Sequence, residues 1–225
     1  NTDSKIYLKN ARHPLIHQSK IVPITVDLGD EYSSLIITGP NTGGKTVSLK
    51  TIGLLTLMAM CGLMIPCDDN SEIAIFNKIY ADIGDEQSIE QSLSTFSSHM
   101  VNIINIINES PNNSLVLLDE SLSSTGSFEA SYIAAEVLGG LAHVGCRCLF
   151  STHLHELAAE IDNINARSRA SGGVAIDTLV AGMKGEGKRS FKITRAKPDG
   201  KSYARDIAQS YGLTYETILK RFENQ

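Results

Sequence analysis

The chain has 225 residues, 42% of them apolar, and a formal net charge of -5 at pH 7 with a pI near 5.7. This length predicts a single domain with one core, and the acidic balance excludes a broad cationic surface that could hold a nucleic-acid backbone alone. The cysteines lie in apolar sequence without zinc-ligand spacing, which predicts buried free thiols at Cys61, Cys67, Cys146 and Cys148.

Alternation and helical spacing of apolar residues divide the first 165 residues into strands and helices. Residues 1–20 are polar, with a turn at Arg12-His13-Pro14. The pattern then predicts, in chain order, a strand at 21–28, a buried strand at 35–38, a helix at 45–63, one or two strands at 73–83, a helix at 91–107, a strand at 114–119, a helix at 128–141, a strand at 146–151 and a short helix at 154–161. This order predicts an α/β fold with a mainly parallel sheet covered on both faces.

Two predicted helices carry specific expectations about burial. The helix at 45–63 is rich in Leu and Met and is predicted to be buried on most sides. In the helix at 91–107 the predicted inward side chains are Met100, Ile103, Ile104 and Ile107.

The most apolar window, residues 52–64, is too short and too interrupted by glycines to span a membrane, and no signal peptide precedes it. We therefore expect a soluble, cytoplasmic protein with no membrane partner.

Beyond residue 165 the pattern changes. Residues 174–180 and 190–197 are typical of strands, and the Gly- and Lys-rich turn at 182–187 joins them into a predicted small antiparallel hairpin. Residues 203–211 and 215–222 are predicted to form two helices at the end of the chain.

The segment Gly39-Pro40-Asn41-Thr42-Gly43-Gly44-Lys45-Thr46 satisfies the phosphate-loop pattern G-x-x-x-x-G-K-[ST], and it stands between a buried strand and a helix. Glycines in such a loop let backbone N–H groups surround phosphates, and the helix N-terminus adds its positive end. Lys45 is predicted to contact the β- and γ-phosphates and the Thr46 hydroxyl to bind Mg²⁺. The motif therefore predicts ATP and Mg²⁺ as ligands.

Two further strands are predicted to end in residues that carry chemistry. One ends in the adjacent carboxylates Asp119 and Glu120, whose side chains point in different directions. Asp119 is predicted to hold Mg²⁺ through its water shell, and Glu120 to orient and deprotonate the attacking water. The next strand is followed by His153, predicted to contact the γ-phosphate or the water. Three neighbouring strand tips should bring Lys45, the acid pair and the imidazole together.

The segment Ser92-Leu93-Ser94-Thr95-Phe96 marks the start of a helix, and its local alternative is a hydroxyl-rich helix cap. Phosphate loop, Ser-rich helix start, Asp-Glu strand and histidine follow one another in the order found in ABC ATPases. In those proteins a serine at a helix N-terminus reaches the γ-phosphate bound by the other subunit. Ser94 is accordingly predicted to act in trans, and hydrolysis to require a homodimer.

These residues resemble the MutS family of mismatch-repair ATPases, especially its second bacterial branch, which often carries a Smr nuclease domain. The resemblance covers nearly the whole chain and rests on Arg12-His13-Pro14, residues 36–46, residues 83–96, Asp119-Glu120 and Thr152-His153. Transporter ATPases instead carry a Leu-Ser-Gly-Gly-Gln signature, which this chain lacks. The resemblance implies a single P-loop NTPase domain of ABC type over residues 1–225, a fragment of a longer protein.

The resemblance also implies roles for individual residues. The ATP site in cis would consist of Lys45, Thr46, Asp119, Glu120 and His153. Further nucleotide contacts would come from Asn41, from Val47 at the end of the loop and, against the adenine, from Ile21 and Val22. Residues from about 202 to 225 would form a dimerisation region, and DNA would be held by regions outside this chain.

One departure from the family lies after the acid pair. The family usually has a Gly-rich Leu-Gly-x-Gly-Thr turn there, whereas this chain has Ser121-Leu122-Ser123-Ser124-Thr125. The difference keeps open a nucleotide-gated scaffold that binds ATP without hydrolysing it. A nucleotide-binding subunit of a transporter is a further alternative, which the missing signature disfavours. The expected function is ATP hydrolysis that drives conformational change in a DNA repair or recombination protein.

Overall fold

The computed structural model describes residues 4–39, 43–83, 92–121, 127–170, 175–184 and 188–197. Within them the elements are, in chain order, β1 (Ile6–Ala11), β2 (Ile24–Leu28), β3 (Tyr32–Thr38), α1 (Lys45–Met60), β4 (Glu72–Ile73), β5 (Lys78–Ile83), α2 (Ser92–Glu109), β6 (Ser114–Asp119), α3 (Ser127–Val144), β7 (Arg147–Ser151), α4 (His155–Ala170), β8 (Ala175–Lys184) and β9 (Lys188–Arg195). They form a six-stranded sheet ordered β5-β6-β7-β3-β8-β9 and a three-stranded sheet ordered β2-β1-β4. The predicted α/β class is confirmed.

The large sheet is parallel except at one edge, where β9 pairs antiparallel with β8. Its strands β6, β7 and β3 are neighbours, and their register sets Asp119 opposite Ser151 and Ser151 opposite Ile37. The carboxyl ends of these three strands therefore lie side by side at one level. The predicted adjacency of the three strand tips is confirmed.

Side chains alternate between the two faces of the large sheet, and each face has its own buried core. On one face Leu118 and Phe150 pack with residues of α2, α3 and α4. On the other, Leu117 and Leu149 pack with residues of α1 and the small sheet. Both faces are covered, as predicted, which explains why the central strands are continuous apolar runs.

Three elements differ from the prediction. The first twenty residues contain β1, because Ile6 and Leu8 are buried when β1 pairs with β2. The predicted hairpin is not a separate unit, since β8 pairs in parallel with β3 and so extends the large sheet. Helix α4 continues well beyond residue 161, because Ile164 prolongs its apolar stripe into the core. Each difference arises from pairing between segments that are distant in sequence.

Helix α1 is shorter than predicted. It ends at Met60, where Gly62 adopts a φ of +73° and the amides of Gly62 and Leu63 donate to the carbonyls of Ala59 and Met58 at 3.0 and 2.9 Å. This Schellman arrangement stops the helix three residues before the predicted boundary. The expectation of burial on most sides is confirmed from Lys45 to Thr56, where eight residues are buried and only Val47 and Lys50 are exposed, whereas Leu57 near the end of the helix is 47% exposed.

Helix α2 buries a narrower stripe than predicted. Ile103 is buried, and Met100 is partly buried against the same core. Ile104 and Ile107, predicted to face inward, are 50% and 37% exposed, and Ile106 is buried instead. The helix lies against β5 at the edge of the sheet, so one row of side chains spaced three apart suffices for the contact.

The cysteines are all free, as predicted, but their burial is not uniform. Cys146 and Cys148 are buried, Cys67 is half-buried and Cys61 is exposed. Cys61 differs from the prediction because it is the C-cap of α1 and lies beyond the packed part of the helix.

In the described part of the chain, no helix has the length and hydropathy that a membrane crossing needs. The two predicted helices after residue 202 lie outside the described residues.

Candidate functional site

The candidate site begins where β3 ends and α1 starts. Gly39 follows β3 with a φ of +123°, and a Cβ there would lie 2.9 Å from the Ala181 Cβ, so both backbone and neighbour require glycine. Gly44 is the N-cap of α1 with a φ of +93°, and no acidic residue stands in the first turn. The positive end of the helix dipole therefore stands at the carboxyl edge of the sheet, where it suits an anion. Of the predicted loop, Pro40, Asn41 and Thr42 lie outside the described residues.

Lys45, the first residue of α1, is completely buried. Its Nζ donates to the Gly39 carbonyl at 2.8 Å and lies 3.4 Å from Glu120 Oε1. Burial lowers the pKa of Lys45, and the carboxylates of Glu120 and Asp119 oppose that shift. An ammonium so poorly solvated gains strongly from an anionic ligand that reaches it.

Thr46 and Asp119 supply a pair of oxygen atoms beside Lys45. Thr46 Oγ1 donates to Asp119 Oδ1 at 3.2 Å, and Asp119 is buried at the end of β6. Across the described ranges, no group of three or more His, Cys, Asp or Glu side chains is arranged to hold a metal by itself. Mg²⁺ commonly takes one or two protein oxygens together with waters and substrate phosphates. The pair therefore fits a Mg²⁺ that arrives with a nucleotide.

Glu120 follows β6 in the left-handed region, with a φ of +51°. This conformation is uncommon for a residue with a side chain, and here the Glu120 amide donates to the Ser151 carbonyl of β7 at 2.9 Å. Hydrogen bonding with His153 is the main cause that lowers the pKa of Glu120; burial opposes it, and the charge of Lys45 assists. The carboxylate is therefore ionised at neutral pH.

His153 is carried by the turn after β7. The Thr152 amide donates to the Ile37 carbonyl of β3 at 3.0 Å, and the Leu154 amide donates to Thr152 Oγ1 at 3.1 Å. These bonds tie the turn to the central strands, and they leave the imidazole partly exposed with its Nδ1 3.7 Å from Glu120 Oε1. Strand ends thus bring His153, Glu120 and Lys45 into one cluster.

A cavity of about 300 Å³ opens beside the N-terminus of α1. Its lining includes Ile21 and Val22, the predicted adenine contacts, and Val47 of the predicted nucleotide contacts. Gly44 and Thr46 line the same cavity, so it is continuous with the phosphate-loop segment. The aliphatic and loop residues predicted for one ligand are therefore neighbours in space.

Two ring-bearing residues that line this cavity, His13 and Phe191, do not belong to the predicted site. Phe191 lies on β9 and is 45% exposed, and a Cβ on Gly44 would lie 3.7 Å from its Cδ1. Its signal in the sequence is weak, a single aromatic side chain in the basic stretch Lys188-Arg189-Ser190-Phe191-Lys192. His13 stands in the motif at residues 12–14, which was interpreted only as a turn and a family marker.

Ser94 lies in the first turn of α2, in agreement with the expected helix start. Its side chain is outside the part of the chain that the structure describes, and its role in a second subunit stays a prediction.

Comparison with known proteins gives matches over nearly the whole chain. The family model described as MutS domain V matches residues 35–220. A protein named Endonuclease MutS2 from Caldanaerobacter subterraneus subsp. tengcongensis is 47% identical over 218 residues, which cover 97% of this chain and 26% of that protein. Proteins of the same name from Bacillus velezensis and Finegoldia magna are 48% and 46% identical, each over 97% of this chain and 27% of the relative. The chain thus spans about a quarter of the length of the curated relatives it matches.

Proposed function

Because this chain belongs to the MutS family, with a match to its domain V over residues 35–220, we propose that it is a P-loop domain of ABC type that binds and hydrolyses Mg²⁺-ATP. One observation carries the proposal: at the carboxyl ends of adjacent strands, Lys45 Nζ lies 3.4 Å from Glu120 Oε1, and Thr46 Oγ1 lies 3.2 Å from Oδ1 of the neighbouring Asp119. Ligands of open α/β sheets bind at that edge.

The phosphates would lie against the N-terminus of α1. Lys45 supplies a desolvated positive charge there, and it exchanges its contact with the Gly39 carbonyl for phosphate oxygens. Thr46 and Asp119 would hold Mg²⁺, which would supply positive charge next to the phosphate oxygens. This arrangement serves binding, because each group is buried or fixed on an element before the nucleotide arrives.

Hydrolysis requires a base that accepts a proton from the attacking water. Glu120 suits this role because its carboxylate is ionised, is held in a fixed backbone conformation and is partly open to solvent. His153, with its Nδ1 3.7 Å from Glu120 Oε1, would help to orient Glu120 and could face the water or the terminal phosphate. The proton would move from the water to the Glu120 carboxylate as the water oxygen attacks the γ-phosphorus, and the bond from that phosphorus to the bridging oxygen would break, so that ADP leaves and phosphate forms.

The nucleobase would occupy the cavity beside α1. Ile21 and Val22 would provide aliphatic contacts, and Phe191 would provide an aromatic ring on which the base can stack. Stacking on an aromatic ring contributes about 1–3 kcal/mol per base. Phe191 is thus the proposed main contact of the adenine.

The test is Glu120→Gln, which keeps the size of the side chain and removes the base. We expect ATP binding to stay within about threefold and hydrolysis to fall roughly 10²- to 10⁴-fold. Titration with a fluorescent nucleotide measures binding, and single-turnover phosphate release measures hydrolysis. Glu31→Gln, an exposed carboxylate before β3 at the opposite edge of the sheet, is the matched control and should change neither. Undiminished turnover in Glu120→Gln would remove Glu120 from the base role.

A second candidate is a scaffold that binds ATP without turnover. The proximity of Glu120 to both Lys45 and His153 favours it, because a carboxylate that faces two other side chains is less available to water. This alternative would be established if both the unaltered chain and Glu120→Gln bind ATP normally and neither releases phosphate. Membership in the MutS family removes the grounds for a transporter subunit.

In the longer protein, we propose that ATP closes two copies of this domain and that hydrolysis reopens them. The motion would act on DNA held by regions outside this chain, in DNA repair or recombination. The cytoplasm is the proposed location.

A further inference from the structure

A buried carboxylate lies next to the proposed site but on the other face of the sheet. Asp82 stands on β5, opposite Leu118 of β6, and is 5% exposed. Its neighbour Ile83 is opposite Asp119, so Asp82 is one residue below the level of the acid pair. Alternation along the strands turns Asp82 toward α2 and away from Thr46.

Two side chains of α2 donate to this carboxylate. Asn102 Nδ2 donates to Asp82 Oδ1 at 3.0 Å, and His99 Nδ1 lies 2.6 Å from Asp82 Oδ2. His99 is nearly buried, so the contact is shielded from water and electrostatically strong. Ser121, the residue after Glu120, donates its hydroxyl to the Asp82 backbone carbonyl at 3.3 Å. Asp82 is therefore bonded both to α2 and to the turn that follows the proposed base.

The apolar contacts of α2 do not by themselves define its position well. Its buried stripe is narrow. Val101 and Ile104, on other sides of the helix, are 57% and 50% exposed. Apolar contacts are non-directional and let a helix slide or rotate. Two directional bonds from successive turns, at positions 99 and 102, fix both the rotation and the axial position of α2.

We propose that Asp82, with His99 and Asn102, is a positioning residue that aims the N-terminus of α2 at the nucleotide of a second subunit. The inference rests on the proposed function, in which Ser94 acts in trans. Ser94 precedes His99 on the same helix by five residues, about 7.5 Å along its axis. A tilt of α2 by about 8° at Asp82 would therefore displace Ser94 by about 1 Å. Because Ser121 donates to the Asp82 backbone carbonyl, the same residue links that helix to the turn after β6.

The test measures the trans role directly by mixing variants in the whole chain. Asp82→Asn removes the charge and keeps the shape, and it should leave ATP binding within about threefold while the turnover rate falls about 10- to 100-fold. Glu120→Gln should be inactive alone. In an equal mixture, each mixed dimer has one complete site, made of the unaltered cis residues of the Asp82→Asn chain and the unaltered α2 of the other. The mixture should therefore recover about a quarter of the unaltered rate per chain, since half of the dimers are mixed.

His99 provides a second pair of variants in case Asp82→Asn does not fold. His99→Asn places an amide nitrogen near the position of Nδ1 and should retain most of the turnover. His99→Phe keeps a ring without the donor and should behave as Asp82→Asn does. Ser94→Ala mixed with Glu120→Gln is the reference for recovery in trans.

The outcomes separate the two proposals. If the unaltered chain does not hydrolyse ATP, or if Ser94→Ala with Glu120→Gln fails to recover activity, the proposed function or its trans step fails and the inference fails with it. If that reference pair recovers and Asp82→Asn with Glu120→Gln does not, only the inference is overturned. Normal turnover in both Asp82→Asn and His99→Phe overturns it as well.

Discussion

At the residue scale, the site depends on Lys45, a charged side chain in a fully buried position. Burial of an ammonium is unfavourable for folding unless its partners compensate, and the partners of Lys45 include the Gly39 carbonyl and the partly exposed Glu120 carboxylate. The residue is therefore better explained by ligand binding than by stability. Its lowered pKa is the physical sign of that conflict.

Lys45→Met should separate the contribution of Lys45 to ATP binding from its contribution to stability. Because Met retains the aliphatic volume and removes the desolvated charge, we expect ATP binding to weaken by at least about 100-fold while the free energy of unfolding does not fall. The folded-state pKa of Lys45 lies below 10.5, so between the two values the unfolded chain holds a proton that the folded chain has released. The stability of the unaltered chain relative to Lys45→Met should accordingly rise as pH increases toward 10.5. Chemical denaturation at several pH values checks this, and a large loss of stability in Lys45→Met would contradict it.

Phe191 gives the second prediction at this scale. Phe191→Ala removes the proposed stacking surface, so the KM for ATP should rise about 10-fold while kcat changes less than about twofold. Phe191→Tyr retains the ring and serves as the control with an unaltered KM. Steady-state kinetics distinguish the variants, and an unchanged KM in Phe191→Ala would place the base elsewhere.

At the element scale, α1 is held close to the sheet by a glycine. A Cβ on Gly53 would lie 2.5 Å from Leu117 Cδ1 of β6, and Leu117 is buried in the core beneath α1. The close approach sets the distance between α1, which begins with Lys45, and β6, which ends with Asp119. Packing in the middle of both elements therefore contributes to the geometry at their ends.

Two glycine-to-alanine changes test this contact. Gly53→Ala should lower the free energy of unfolding by about 1–3 kcal/mol, because the added methyl group overpacks a filled core. Gly140→Ala, in α3 with nothing within 4 Å of its Cβ position, should raise it by about 0.5–1 kcal/mol through helix propensity. Urea denaturation of both variants provides the measurement. Equal effects of the two changes would show that α1 does not depend on the close approach.

At the scale of the whole molecule, the proposed site is complete only in a dimer. The cis residues lie on β3, α1, β6 and β7, and Ser94 stands on α2, which packs at the β5 edge of the sheet. If Ser94 serves the partner, turnover follows the fraction of dimer. Phosphate release per chain should then rise with protein concentration and reach a plateau. A rate per chain independent of concentration over a range in which sedimentation shows monomers becoming dimers would contradict the trans role.

Much of the candidate site could be predicted from the sequence, because its signals are local. The sequence alone shows the glycines before Lys45, the acid pair after an apolar strand and the histidine after the next strand. The roles of Phe191 and Asp82 were not legible in this way. Each is an ordinary residue of a strand until another element lies against it, β9 beside the phosphate-loop segment for Phe191 and α2 beneath the sheet edge for Asp82.

The sequence by itself determined the alternation of strands and helices and the chemistry at each strand end, since periodicity and turn residues act over a few positions. Only the tertiary structure decided the order β6-β7-β3, the burial of β1, the union of the β8–β9 hairpin with the large sheet and the outward direction of Ile104 and Ile107. These features depend on contacts between segments far apart in the chain. Such contacts form where burial is most favourable overall, which no local pattern encodes.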